Sequence, residues 1–118
     1  MSKRVAIYTR VATHATEDRL LLQLEACRKY DQERGWAVVA EVADKGVSGT
    51  TLDRPGLNHI RDMVQAGEID GVIVYALDRL AREVSLIHLL GREFRQRGVE
   101  IHCTQIHCDD TLSGYLTQ

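Results

Sequence analysis

The chain has 118 residues, of which 44% are hydrophobic and 27% are charged, and its formal net charge is −2. These values are typical of one globular domain with a sizeable core, and no apolar run is long enough to cross a bilayer. The N-terminus lacks the apolar run and the cleavage site of a signal peptide, so we expect a cytoplasmic protein. The three cysteines, an odd number without framework spacing, indicate reduced thiols.

The charge balance also bears on nucleic-acid binding. A slightly acidic chain does not bind nucleic acid through its overall net charge. The arginines are nevertheless clustered, because residues 78–97 contain five arginines against three acids. Any contact with DNA would therefore be local, or would be supplied mainly by another domain.

Four alternations of strand and helix are predicted in chain order. The predicted strands are apolar runs that cover residues 4–10, 36–44, 70–77 and 99–106. The predicted helices carry apolar side chains at helical spacing and cover residues 17–35, 55–67 and 78–98. Pro55 suits the first turn of the second helix, with Asp53 as its N-cap, and Gly67 ends it.

This alternation predicts the fold class. Strands that alternate with helices form a parallel sheet covered on both faces. We therefore expect an α/β protein with three layers, α/β/α, around a mostly parallel sheet of about four to five strands. No internal repeat, low-complexity tract or linker interrupts it.

Polar residues at the carboxyl ends of the predicted strands form the candidate site. In an open α/β sheet these ends meet at one edge, where ligands bind. The residues are Tyr8, Arg10, Asp44, Ser48, Arg54, Asp78, Arg79 and Arg82. Four converging arginines point to an anion, because guanidinium groups match phosphate oxygens and stabilise charge on a transferring phosphoryl group. The alternative is that they are solvated surface arginines with local carboxylate partners.

Other candidate motifs are weaker. The loop "DKGVSGTTLDRPG" lacks the spacing of a phosphate-binding loop, and no G-x-G-x-x-G follows the first strand, so nucleotide binding is poorly supported. The pairs at 102–103 and 107–108 each join a histidine to a cysteine, but they lack the outlying ligands of a zinc site. We expect no cofactor and no metal. His14 could act as a general base, although a loop histidine is more often simply solvated.

The strings "YTRVAT", "QLEAC", "DKGVSGTTLDRPGL", "GEIDGVIVYALDRLAR" and "DDTLSG" occur in this order and span nearly the whole chain. Together they resemble the catalytic domain of serine site-specific recombinases, the resolvase/invertase group, in the form found in large serine integrases and transposases. The resemblance implies a resolvase-like fold and the breakage and rejoining of DNA through a 5′-phosphoserine intermediate. It maps the eight residues of the candidate site onto family site residues.

One position departs from the family pattern. The family's nucleophile is the serine two residues after the first arginine, and this chain has Ala12 there. The resemblance therefore implies a DNA phosphoryl-transfer site that lacks its nucleophile. The family glutamine a few residues later is not matched either, since Thr16 stands near its place.

Several interpretations stay open. The chain is a recombinase catalytic domain, inactive as written, with an alanine that is natural or engineered. Alternatively, it is a catalytically dead paralogue that acts as a non-enzymatic DNA-complex or dimerisation partner. A flavodoxin-like module unrelated to DNA and a substitute nucleophile at Thr13 are less well supported.

The resemblance also implies partners and domain organisation. It implies double-stranded DNA as the substrate and a homo-oligomer, a dimer that becomes a tetramer in the active complex, with no membrane association. Residues 1–118 correspond to the catalytic domain of a protein of mobile genetic elements. The C-terminal dimer helix and the DNA-binding domain of the family are absent from this chain.

Overall fold

The computed structural model describes residues 3–11, 17–46 and 53–104. Four strands are present in this part of the chain: β1 (Arg4–Val11), β2 (Ala37–Lys45), β3 (Gly71–Val74) and β4 (Glu100–Cys103). Three α-helices and a 3₁₀ helix connect them: α1 (Glu17–Arg34), α2 (Pro55–Ala66), the 3₁₀ helix (Leu77–Arg79) and α3 (Val84–Gln96). None of the described helices has the length and apolar content that a membrane span requires.

The strands form one sheet in the order β2-β1-β3-β4, and every neighbouring pair is parallel. β1 lies in the interior of the sheet and is buried along its length after Arg4, which explains its uninterrupted apolar sequence. β2 is an edge strand, and most of its residues are exposed. The parallel α/β sheet that the sequence predicts is confirmed.

Helices cover both faces of the sheet. Ala6 and Tyr8 of β1 point to the larger core, which α2 and α3 complete with Leu57, Ile60, Val64, Ile87, Leu90 and Phe94. Val5 and Ile7 point to the opposite face, where they pack with Cys27 of α1. Because successive residues of a strand face opposite sides, the apolar run of β1 serves both cores. The three-layer arrangement is confirmed.

The region after β3 differs from the predicted elements. β3 ends at Val74, and the predicted helix over 78–98 is divided into the 3₁₀ helix and α3. Leu77 and Leu80 are both buried, and their spacing of three residues suits a 3₁₀ turn, whose side chains repeat every three residues. Glu83 then has an extended backbone, so α3 begins only at Val84.

The cysteines differ from one another. Cys27 is a buried free thiol on α1. Cys103, at the end of β4, is disulfide-bonded, so the expectation of reduced thiols is wrong for this residue. An odd number of cysteines excludes the pairing of all of them, but it does not exclude the pairing of two.

Candidate functional site

The parallel strands bring the predicted residues to one edge of the sheet. Arg10, near the end of β1, is in register with Asp44, near the end of β2. The 3₁₀ helix, which includes Asp78 and Arg79, follows the end of β3. The carboxyl edge therefore collects these residues, as expected for a parallel sheet.

Asp44 is the centre of a buried hydrogen-bond network. Its carboxylate accepts a hydrogen bond from the Tyr8 hydroxyl at 2.6 Å. It also accepts hydrogen bonds from the backbone N–H groups of Gly56 at 2.7 Å and of Leu57 at 3.0 Å. Asp44 thus caps the N-terminus of α2 from β2 and joins that helix to β1.

This cap corrects the sequence prediction that Asp53 caps α2. The N-cap residue is Arg54, whose side chain makes no capping hydrogen bond. Asp53 is exposed and accepts a hydrogen bond from the side chain of Asn58. Local sequence rules identify caps within a few residues of the helix, whereas Asp44 lies on another strand.

Gly56 permits the close approach of Asp44 to α2. A Cβ atom at this position would lie 2.8 Å from the carboxylate carbon and from both oxygens of Asp44. Since real Cβ atoms do not approach other atoms this closely, a larger residue would push the carboxylate away. The small residue after Pro55 is therefore part of the network.

Tyr8 is held as a neutral donor. Burial raises the pKa of the Tyr8 hydroxyl above its ordinary range, and the hydrogen bond to Asp44 raises it further. The ring is completely buried, and the Arg54 guanidinium carbon lies 5.8 Å from its centroid. Tyr8 and Asp44 therefore form a fixed hydroxyl–carboxylate pair.

Arg10 and Arg54 hold the turn that follows β3. Arg10 donates hydrogen bonds from Nε to the carbonyl of Arg79 at 3.1 Å and from Nη2 to that of Asp78 at 2.8 Å. Arg54 donates from Nη1 to the carbonyl of Arg79 at 3.2 Å and from Nη2 to the carbonyl of Leu80. Two guanidinium groups thus tie three consecutive carbonyls of this turn to β1 and to the start of α2.

Both arginines are buried, since Arg10 is 4% exposed and Arg54 is 0% exposed. Burial lowers the pKa of Arg10, and the positive charges of Arg54 and Arg79 lower it further. The alternative that these two are solvated surface arginines is therefore wrong. The site concentrates positive charge in a poorly hydrated place.

Two guanidinium nitrogens in this group make no hydrogen bond. Within the described part of the chain, Nε of Arg54 and Nε of Arg79 are buried and make no hydrogen bond, although Nε of Arg79 forms an ion pair with Oδ1 of Asp78 at 3.7 Å. Nε of Arg54 is enclosed by the protein, so an anion at this edge would meet the exposed parts of Arg79 and Arg82 instead.

The remaining predicted residues lie nearer the solvent. The Arg79 and Asp78 side chains are 29% and 64% exposed and form an ion pair at 3.7 Å. Arg82, just beyond the turn, is exposed. Ala12 and Ser48 lie outside the described residues, as do Thr13, His14 and Thr16.

The described residues include only some of the candidate metal ligands. Among residues 3–11, 17–46 and 53–104, no group of three or more His, Cys, Asp or Glu side chains could hold a metal ion. His107 and Cys108 lie outside these ranges. The absence of a metal therefore stays a prediction.

One buried polar residue near this edge was not predicted from the sequence. Gln23 is 3% exposed, and its side-chain amide hydrogen-bonds both backbone groups of Arg10. Its place on the apolar face of α1, beside Leu20, Leu24 and Cys27, is the one feature of the sequence that could have marked it. A glutamine on a buried helix face requires a polar partner.

Comparisons with known proteins identify the family to which this chain belongs. The family described as Resolvase, N terminal domain matches residues 5–117. A Bacillus subtilis (strain 168) protein whose name contains the words DNA recombinase is 36% identical over 100 residues, which are 82% of this chain and 19% of that protein. The serine recombinase Gin of Escherichia phage Mu is 34% identical over 93 residues, 78% of this chain and 42% of the phage protein. The chain thus spans less than half the length of these relatives.

A solved structure extends the similarity to the fold. The N-terminal catalytic domain of TP901-1 integrase superposes with a TM-score of 0.81 at 29% sequence identity, covering 98% of this chain and 92% of that domain. The chain therefore belongs to the resolvase family of serine recombinases and corresponds to the N-terminal, catalytic domain of that family.

Proposed function

We propose that this chain binds a DNA phosphodiester at the carboxyl edge of its sheet, in the manner of a serine recombinase catalytic domain. The observation that carries the proposal is the cluster of guanidinium groups at this edge, where the buried Arg10 and Arg54 both hydrogen-bond the Arg79 carbonyl while Arg79 and Arg82 retain exposed surface. A phosphate offers several acceptor oxygens and a negative charge, and guanidinium groups bind it with well-directed hydrogen bonds. The family membership indicates that the phosphate belongs to DNA.

The arginines divide into two groups in this proposal. Arg79 and Arg82 retain exposed surface, so they contact the phosphate directly. Arg10 and Arg54 support the turn through its carbonyls and add positive charge beneath it. Such preorganised charge stabilises the negative charge that develops on the phosphoryl group in the transition state of its transfer.

The reaction of an active member follows from this arrangement. A serine oxygen attacks phosphorus and loses its proton, the bond from phosphorus to the 3′ sugar oxygen breaks, and that oxygen leaves as a hydroxyl group. The product is a 5′-phosphoserine ester, which retains the bond energy for rejoining. Asp44 is committed to Tyr8 and to the N-terminus of α2, so we assign it to positioning rather than proton transfer.

The side chain of Ala12 has no oxygen, so no phosphoserine ester forms at this position. The arginines retain their ability to hold a phosphate, but positioning without a nucleophile does not produce the covalent bond. In the proposed role the chain is therefore a DNA-binding member of the family that does not cleave. Ala12 also favours the second candidate, a non-enzymatic partner in a dimer or tetramer of recombinase subunits on double-stranded DNA.

The test restores the missing oxygen with Ala12→Ser in the complete protein that the gene encodes. Labelled DNA with the protein's own recombination site is incubated with each variant and separated on a denaturing gel. We expect a serine-linked adduct from the Ala12→Ser protein and none from the unchanged protein. If the unchanged protein gave the adduct equally well, another nucleophile would act, and Thr13 is the first to examine.

Two arginine variants in the Ala12→Ser background test the site itself. Removing the exposed guanidinium with Arg82→Ala should lower the adduct rate by about a hundredfold or more, which corresponds to about 3 kcal/mol of transition-state stabilisation. Arg92→Ala, which removes an exposed arginine from α3, is the matched control and should leave the rate unchanged. Absence of any adduct from the Ala12→Ser protein on a verified site would refute the proposed function.

A further inference from the structure

We propose that Gln23 is a positioning residue that replaces the missing β3 partner of Arg10. This inference rests on the proposed function, because it concerns the backbone that leads to position 12. It begins from the unequal lengths of the strands. β3 pairs with β1 only as far as the pair Tyr8↔Val74, whereas β1 continues to Val11.

Among the described residues, the last residues of β1 therefore have a neighbouring strand on one side only. β2 accompanies β1 to the pair Val11↔Lys45, and the backbone N–H of Gly46 donates to the carbonyl of Val11 at 3.0 Å. Backbone groups of successive residues point to alternate sides of a strand, so those of Arg10 point away from β2. On that side β3 has already ended.

Gln23 fills this position. The Arg10 N–H donates to Oε1 of Gln23 at 3.3 Å, and Nε2 of Gln23 donates to the Arg10 carbonyl at 3.1 Å. A primary amide presents one donor and one acceptor side by side, as the backbone of a neighbouring strand does. Gln23 is buried, so water does not compete for these groups.

The hydrogen bonds between Gln23 and the Arg10 backbone matter because of where Arg10 lies. The Arg10 side chain holds the turn after β3, and its backbone lies two residues before Ala12. Gln23 thus fixes one backbone unit that determines both the arginine and the direction of the chain towards the nucleophile position. Errors of about 1 Å in such placement can lower a rate by about a hundredfold.

The first test is amide hydrogen exchange measured by NMR on the chain itself. The Arg10 N–H should exchange at least about tenfold more slowly than an unprotected amide, although β3 has ended. Gln23→Met, which preserves length and removes both hydrogen bonds, should abolish this protection. Gln23→Glu, which can accept but not donate, should preserve protection of the N–H. Gln32→Met on the exposed side of α1 is the control and should change nothing.

The proposal is overturned if the Arg10 amide of the unchanged chain exchanges at its unprotected rate, or if Gln23→Met leaves a protected Arg10 amide protected. The first outcome needs no variant, so a variant that fails to fold does not remove the test. Near-ultraviolet circular dichroism verifies the tertiary structure of each variant.

The second test separates positioning from binding in the complete Ala12→Ser protein. Adding Gln23→Met should lower the adduct rate at saturating DNA by about a hundredfold while the half-saturating DNA concentration stays the same. An unchanged rate would overturn the proposal. If the Ala12→Ser protein alone gives no adduct, the proposed function fails, and the exchange measurements still decide whether Gln23 holds Arg10.

Discussion

Replacing Asp44 with alanine should destabilise this protein more than any substitution of an exposed carboxylate. The variant removes three hydrogen bonds from a buried carboxylate, one to the Tyr8 hydroxyl and two to the backbone N–H groups of Gly56 and Leu57. None of these donors gains access to bulk water when the carboxylate is removed, because Tyr8, Gly56 and Leu57 are buried.

The magnitude follows from the donors left behind. A buried donor without a partner costs about 1–3 kcal/mol, and three donors are affected. Partial relaxation of the start of α2 recovers some of this, so we expect a loss of about 4 kcal/mol. Stability of most single domains is only about 5–15 kcal/mol, so the variant should be close to unfolding at room temperature.

The assay is urea unfolding followed by the fluorescence of Trp36, the single tryptophan. Asp53→Ala is the matched control, since Asp53 is exposed and sequence rules alone would make it the helix cap. Its cost should be below about 0.5 kcal/mol. A double-mutant cycle with Tyr8→Phe should give a coupling energy of about 1 kcal/mol or more between Tyr8 and Asp44.

Two results would refute this reasoning. If Asp53→Ala were as destabilising as Asp44→Ala, the cap would be local, and the network around Asp44 would not hold α2. If Asp44→Ala cost less than about 1 kcal/mol, the three hydrogen bonds would not be formed in solution.

Two further predictions concern buried titratable groups. Burial raises the pKa of Asp31, so the folded state binds this proton more tightly than the unfolded state does, and stability is lost as pH rises from about 4 through the raised pKa. Asp31→Asn should therefore gain stability relative to the unchanged protein as pH rises from about 4, and thermal unfolding across this range would contradict this if the two proteins showed the same pH dependence. Burial raises the pKa of the Cys27 thiol to about 12. Cys27 should therefore resist a thiol-specific reagent at pH 8 in the folded protein and react at once in urea. Rapid labelling of the native protein would contradict this and would show that α1 opens easily.

The sequence by itself determined the fold class, because its information is local and periodic. The apolar run of β1 indicated a strand buried on both faces, and the spacing of Leu57, Ile60 and Val64 indicated the inner face of α2. Gly67 ends α2 with a left-handed backbone, φ 73°, which glycine adopts without strain. The order of strands and helices was then sufficient to place Arg10, Asp44 and the turn after β3 at one edge of a parallel sheet.

The tertiary structure alone decided what each of these residues does there. Sequence patterns made Asp53 the cap of α2 and gave Gln23 no role, whereas Asp44 caps the helix from a different strand and Gln23 completes the edge of β1. The four arginines looked equivalent in sequence, but Arg10 and Arg54 are buried against backbone carbonyls and Arg82 is exposed. The physical reason is that a hydrogen bond depends on which groups remain unpaired after the sheet has formed. Where one strand ends before its neighbour, only the tertiary structure shows which backbone groups still need a hydrogen-bond partner.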